Sequence, residues 1–210
     1  MLKKEYEILL QFLKKPWRSF TFKEIKKLSK KKSESYVYSS LNNFVDSDIL
    51  KKEKIGNVIA YNLNLKLIKA QSYSGFISES VAWSQRHIPY NNLIDISNKI
   101  PTKFYVFIVT GSYANNSQNE SSDIDIVVII NDSMETKRIY SQLRLACELN
   151  IPKMHLYVFR QSEFLQMLLN NEANYGKEIV KNNLILYGAE NYYNILSEAI
   201  ENGFNDKKLY

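Results

Sequence analysis

Apolar residues recur every three or four positions through the first 46 residues of this chain, then alternate with polar ones, and later run unbroken. Tyr6, Leu9, Leu10 and Leu13 share one side of a helix expected over residues 3–14, which stops before Pro16. Thr21 with Glu24 three residues on forms a capping box, and Phe22, Ile25 and Leu28 give the following helix its apolar stripe. Ser33 or Ser35 caps a third helix that reaches about Asp46 and turns Val37, Leu41, Phe44 and Val45 inward. Residues 49–64 then read as two strands around a Gly56-Asn57 turn.

Residues 64–100 predict bridging helices, one around 75–86 containing Trp83 and one around 91–100 built on Leu93, Ile94, Ile96 and Ile100. The period changes at Lys103, where Phe104 to Val109 is a continuous apolar and aromatic run that should be a buried strand ending in Thr110-Gly111-Ser112. A polar loop over 115–122 leads to a second strand at 123–130. A helix over 134–149 follows, bearing Ile139, Leu143, Leu145 and Leu149, and then a third strand over 154–159. Two or three helices close the chain, divided near Gly176 and Gly188. The expectation is an α+β fold. Three helices and a hairpin over residues 1–69 make a winged helix-turn-helix, 70–100 bridge, and 101–210 form a mixed sheet flanked by helices with a helical tail.

Charge sharpens this division. The 210 residues carry +6 in all, but residues 1–69 hold 16 lysines and arginines against 7 acids, a balance of +9, and the rest is −3. A basic front on a mildly acidic body points to a polyanion met by one unit only, although solubilising lysines give the same count. No apolar run approaches the ~20 residues of a membrane span, and the opening Met1-Leu2-Lys3-Lys4-Glu5 lacks the apolar stretch of a secretory leader. A soluble, cytoplasmic protein with no membrane partner is expected. Cys147 is the single cysteine, which excludes an intramolecular disulfide and reads as a core residue on a helix.

The second helix of a helix-turn-helix lies in the major groove and touches base edges with its exposed N-terminal residues. In this chain that helix begins at Ser33, and its outward Ser35, Tyr36, Ser39, Asn42 and Asn43 suit bases and phosphates. Lys30, Lys31 and Lys32 before it, with Lys51, Lys52 and Lys54 in the wing, can neutralise phosphates of double-stranded DNA. The stretch from Tyr36-Val37-Tyr38-Ser39-Ser40-Leu41 through Ile49-Leu50-Lys51-Lys52 to Tyr61-Asn62-Leu63 resembles the winged-helix families of prokaryotic transcriptional regulators. A winged helix that binds protein is the alternative.

Gly111-Ser112, nine residues, then Ser122-Asp123-Ile124-Asp125-Ile126 carries the most chemistry. A glycine after a buried strand lets backbone approach a phosphate, and a hydroxyl with the N–H groups of a helix start can hold phosphate oxygens. Asp123 and Asp125, two apart on a strand, project from one face while Ile124 and Ile126 enter the other. Two such carboxylates can share magnesium, one ion or two, with the phosphates of a nucleoside triphosphate. Separately, Gly-Ser is a common loop pair and Asp-x-Asp a common solvated strand end.

Together these elements resemble the polymerase-β nucleotidyltransferase superfamily over about residues 91–160, specifically the minimal nucleotidyltransferases of prokaryotes. The later Glu163-Phe164-Leu165, Gly176-Lys177-Glu178-Ile179 and Leu186-Tyr187-Gly188 are similar to the tail of archaeal members. The resemblance implies that Gly111, Ser112 and Ser122 hold triphosphate and that Asp123 and Asp125 bind metal. The chain departs from the pattern in two places. Asn115-Asn116 stands where active relatives carry Arg-Gly, and Lys153-Met154-His155-Leu156-Tyr157 lacks the third carboxylate. His155 takes that position as a ligand, a general base or the mark of an abandoned site. Glu163 reads as a helix-start residue instead.

Two functions stay open. One is an enzyme that transfers a nucleoside monophosphate from a nucleoside triphosphate to a hydroxyl on protein, RNA or a small molecule. The other is a regulator whose nucleotidyltransferase-like domain is inactive and serves nucleotide sensing or dimerisation. A homodimer and a partner toxin are assemblies that the resemblance also admits.

Overall fold

The computed structural model describes residues 4–209, so the helix start expected at Lys3 lies outside the described residues. The first helix, α1 (Tyr6–Leu13), stops short of Pro16, and α2 (Phe22–Ser29) begins at the capping box. There Thr21 Oγ1 accepts from the Glu24 N–H at 3.3 Å while the Glu24 carboxylate accepts from the Thr21 N–H at 2.8 Å, an arrangement of the kind that stabilises a helix by about 1 kcal/mol. Helix α3 (Glu34–Asp46) is capped by Ser33, whose Oγ accepts from the Tyr36 N–H at 3.2 Å. Strands β2 (Leu50–Ile55) and β3 (Val58–Leu63) pair antiparallel around Gly56-Asn57. A two-residue strand, β1 (Phe20–Thr21), joins the outer side of β3, giving the order β1-β3-β2. That strand is too short to leave a periodic signal.

Leu28, expected on the α2 stripe, is exposed. Successive three-residue steps each fall about 60° short of a turn, so Leu28 drifts about 120° from Phe22 and Ile25 alone is fully buried. Tyr36 also departs from its expected outward position: its ring packs against the core and its hydroxyl is enclosed.

Helix α4 (Ile68–Ala82) starts well before residue 75, and α5 (Tyr90–Ser97) follows it. Then come β4 (Tyr105–Thr110), the single turn α6 (Gly111–Ala114), β5 (Ile124–Ile130), α7 (Thr136–Glu148) and β6 (Met154–Arg160). The tail comprises α8 (Gln161–Leu169), α9 (Tyr175–Lys181), a strand β7 (Asn183–Tyr187), α10 (Ala189–Glu201) and α11 (Asp206–Leu209). The sheet order is β6-β5-β4-β7, with β5 and β6 parallel and the other pairs antiparallel, so the sheet is mixed.

The tail is therefore not helical throughout. Gly176 lies inside α9, and β7 occupies the edge of β4. The short apolar run Leu184 to Tyr187 is ambiguous between strand and buried helix until a free edge claims it. Gly188 ends β7 with φ +73°, and a Cβ there would lie 2.2 Å from the Tyr105 carbonyl oxygen, so only glycine fits this turn.

Alternation divides the sheet between two cores. Val106, Ile108, Val127 and Ile129 pack on one face with Ile77 and Leu196, and that core continues to Ile8 and Leu41. Phe107, Val109, Ile126 and Val128 pack on the other with Leu93, Ile139 and Leu143. In α7 the buried side chains are Ile139, Leu143 and Cys147, at four-residue steps, which leaves Leu145 and Leu149 exposed on the opposite side. Burial pushes the Cys147 thiol up to about 11, as suits an inert core residue.

Helices α4 and α10 seat the N-terminal unit on the sheet. Glu79 of α4 accepts from the Ala189 N–H at 2.8 Å, and Trp83 Nε1 donates to the Leu186 carbonyl at 2.9 Å. Trp17 Nε1 donates to Asp206 at 2.8 Å, which holds the end of the chain against its beginning. Among the described residues no helix is long and apolar enough to cross a membrane.

Candidate functional site

Antiparallel register sets Thr110 at the end of β4 opposite Asp125 on β5, and parallel register sets His155 of β6 opposite Asp125 from the other side. Ile124 and Ile126 are fully buried, while the Asp123 and Asp125 side chains keep 36% and 28% of their surface exposed. The strand period thus turns both acids to the face opposite Ile124 and Ile126. His155 bridges them, with Nε2 3.0 Å from Asp123 Oδ2 and Nδ1 3.4 Å from Asp125 Oδ1.

Gly111 closes the other side. Its φ is +68°, and a Cβ at this position would lie 2.2 Å from Asp125 Oδ2. Glycine is required twice over, by backbone conformation and by the carboxylate against it. Asn182 fixes the turn: its Nδ2 donates to the Gly111 carbonyl at 2.7 Å, and its own carbonyl accepts from Thr110 Oγ1 at 2.6 Å. Ser112 follows on α6, whose first-turn N–H groups have no partners within the helix. Ser122 is engaged in its own loop, where Oγ accepts from the Asn119 N–H at 2.9 Å.

Burial raises the Asp125 carboxyl above its ordinary value; the His155 imidazole opposes the rise and the Asp123 carboxylate adds to it. Tyr175 of α9 faces the same region, its ring 4.4 Å from that of Tyr157 on β6, and burial followed by the Asp125 charge pushes its phenol strongly upward.

Two partly exposed carboxylates suit a hard divalent ion shared with substrate phosphates. His155 contacts those same oxygens and competes with any cation for them. Among the described residues no group of three His, Cys, Asp or Glu side chains forms a metal cage. The donor set fits magnesium as two acids completed by groups that a substrate brings, rather than as a closed protein site.

Residues 91–192 match the family model "Polymerase beta, Nucleotidyltransferase". This segment is a nucleotidyltransferase-type domain, and it runs from α5 through the whole four-stranded sheet into α10. A solved structure described as "Crystal structure of the toxin-antitoxin with AMP-PNP" is similar at 14% identity and a TM-score of 0.39, covering 54% of this chain and 87% of that one. No curated protein matches the chain in sequence.

Outside that domain, Ser35 and Ser39 are exposed on α3 and Asn42 is half-buried, with Lys30, Lys32 and Lys54 exposed nearby and Lys51 half-buried in β2. Lys31 is engaged in an ion pair with Glu7 of α1, so part of its charge is already answered.

Thr110, Asn182, Tyr157 and Tyr175 were not singled out in sequence. Asn182 and Thr110 act through β7, which the apolar run Leu184-Ile185-Leu186 before Gly188 could have revealed.

Proposed function

We propose that the nucleotidyltransferase-type domain transfers a nucleoside monophosphate from a nucleoside triphosphate to a hydroxyl acceptor, and that residues 1–69 are a winged helix-turn-helix that contacts double-stranded DNA. The observation that carries the first part is the seating of Gly111 directly against Asp125, with Asp123 alongside, inside residues 91–192. The division into residues 1–69, a bridging 70–100 and 101–210 is part of the same reading.

Gly111 and Ser112 position the triphosphate, because glycine admits backbone close to phosphate and the first-turn N–H groups of α6 have no partners within the helix. Asp123 and Asp125 would hold magnesium, which supplies charge at the acceptor oxygen and at the departing pyrophosphate. In the transfer, the acceptor oxygen bonds to the α-phosphorus, the bond to pyrophosphate breaks, and His155 takes the acceptor proton. The side chain of His155 is 47% exposed and stands beside both carboxylates, within reach of an incoming hydroxyl. The acceptor lies on protein, RNA or a small molecule, and a partner toxin is one protein acceptor consistent with the family resemblance.

The DNA-binding part is supported by the +9 balance of residues 1–69 and by the exposed Lys30, Lys32, Ser35 and Ser39 around α3. A second reading, a regulator with an inactive domain, is favoured by the two contacts of His155, which occupy carboxylate oxygens that a metal would need.

Magnesium with ATP should raise the melting temperature of the full chain, since a ligand selective for the folded state stabilises it by mass action. The double variant Asp123→Asn with Asp125→Asn should fold and lose that rise. An unchanged rise in the double variant overturns the assignment of the site.

A further inference from the structure

Strand β6 is one edge of the four-stranded sheet, and its backbone is open along that edge. The Ile124 N–H of β5 donates to the Lys153 carbonyl, so strand alternation turns the N–H and carbonyl groups of Leu156 and Val158 outward. The Arg160 N–H, in the same outward phase, donates to the Glu163 carboxylate at 2.8 Å, whereas among the described residues no group outside the ladder bonds the backbone of Leu156 or Val158. At the other edge, Trp83 Nε1 occupies the Leu186 carbonyl of β7. An open edge of seven residues, uncharged from Leu156 to Phe159, is one that proteins ordinarily cover.

Two hollows open beside these residues, between β6 and the flank of α7. One, of about 340 Å³, is lined by Leu156, Tyr140, Arg144 and Lys153, and the next, of about 320 Å³, by Val158, Tyr140 and Lys137. Leu156 and Val158 are two residues apart, about 7 Å along the strand, the spacing at which alternate side chains of a neighbouring strand project to one face. Lys137, Arg144 and Lys153 are exposed there; Lys137 and Lys153 make no ion pair among the described residues, and Arg144 reaches Glu148 only at 3.9 Å. Strand alternation sets the half-buried Tyr157 and Phe159 on the opposite face of the same edge.

We infer that β6 is a docking edge for an extended segment of another protein, which joins the sheet as an added strand with carboxylate side chains toward α7 and apolar side chains toward Tyr157 and Phe159. Main-chain hydrogen bonds hold such a segment, and the alternation of acidic and apolar side chains sets which segment fits. A second copy of this chain fits worse, because pairing β6 with itself brings the cations of two α7 flanks onto one face. The inference goes beyond the proposed transfer and depends neither on magnesium nor on Asp123 and Asp125.

The test is binding of a labelled nine-residue peptide of alternating glutamate and valine to the full chain, read by fluorescence polarisation. Saturable binding is expected, with affinity at least about tenfold lower for a peptide of the same composition in scrambled order and for one with lysine in place of glutamate. Val158→Pro should weaken binding at least about tenfold, since proline removes an outward N–H and leaves the bonds to β5 in place. Lys137→Glu with Arg144→Glu, on the exposed side of α7, should do the same without a change in the strand. Asp123→Asn with Asp125→Asn should bind the peptide as the parent chain does, so failure of the proposed transfer and failure of this edge are distinguishable. No saturable binding, equal binding of the scrambled or lysine peptide, or undiminished binding by either folded variant overturns the inference. Self-association of the parent chain that Val158→Pro abolishes assigns the edge to a second copy and also overturns it.

Discussion

Replacing Gly111 by alanine separates the cost of folding from the cost to the site. The backbone there has φ +68°, a conformation that costs a residue with a Cβ about 1–2 kcal/mol. Alanine also reduces the freedom of the unfolded chain, which returns about 0.4–1 kcal/mol. The added Cβ starts 2.2 Å from Asp125 Oδ2, and real Cβ contacts lie beyond 3.0 Å, so the carboxylate has to retreat. A side-chain oxygen can do this without moving the sheet. Net destabilisation should be about 1 kcal/mol, or about 2–4 °C in melting temperature for a chain of this length. The functional loss should be far larger, because misplacing a reacting group by about 1 Å costs about a hundredfold. Thermal denaturation with and without magnesium and ATP reads both effects. A Gly111→Ala variant that keeps the full nucleotide-induced rise, or that loses more than about 4 kcal/mol of stability, refutes the reasoning.

Gly188→Ala should behave oppositely: the obstacle 2.2 Å away is the Tyr105 backbone carbonyl, which cannot turn aside, so denaturation should show a loss of about 3 kcal/mol or more. Glu79 of α4, half-buried against the first residue of α10, has its carboxyl raised above the ordinary value, chiefly by burial. With the folded value raised, the stabilisation is full below the unfolded value and is lost as pH rises through the folded one. Glu79→Gln, which keeps an acceptor for Ala189, should therefore match the parent chain near pH 4 and be at least as stable at pH 7; a lower melting temperature at pH 7 than at pH 4 relative to the parent contradicts this. Binding of duplex DNA should fall with salt at about −0.9 per phosphate contact in log–log terms, and Lys30→Ala with Lys32→Ala should flatten that slope across sequences. A salt-independent affinity counts against the winged-helix proposal.

Periodicity carried most of the element order. The capping box at Thr21, the Gly56-Asn57 turn and the unbroken run before Gly111 each have local physical causes and were found where expected. Strand alternation also anticipated that Asp123 and Asp125 face away from Ile124 and Ile126. What escaped depends on partners distant in the chain. β7 becomes a strand because β4 has a free edge, and Asn182 reaches Gly111 only once that edge is filled. Tyr36 looked outward on a helical wheel, but its ring leans back onto the core. The contact of His155 with both carboxylates required the parallel pairing of β5 and β6, a register that no local pattern encodes.

If Asp123 and Asp125 support nucleotidyl transfer, pyrophosphate is released from a nucleoside triphosphate only while both carboxylates are present. The assay uses magnesium and candidate protein, RNA and small-molecule acceptors, for the parent chain, Asp123→Asn with Asp125→Asn, and His155→Ala. The parent chain should release pyrophosphate, release should stop with chelator and in the double variant, and it should fall about a hundredfold in His155→Ala. Release that continues undiminished in the double variant, or no release by the parent chain with any triphosphate and acceptor, contradicts a role for Asp123 and Asp125 in transfer.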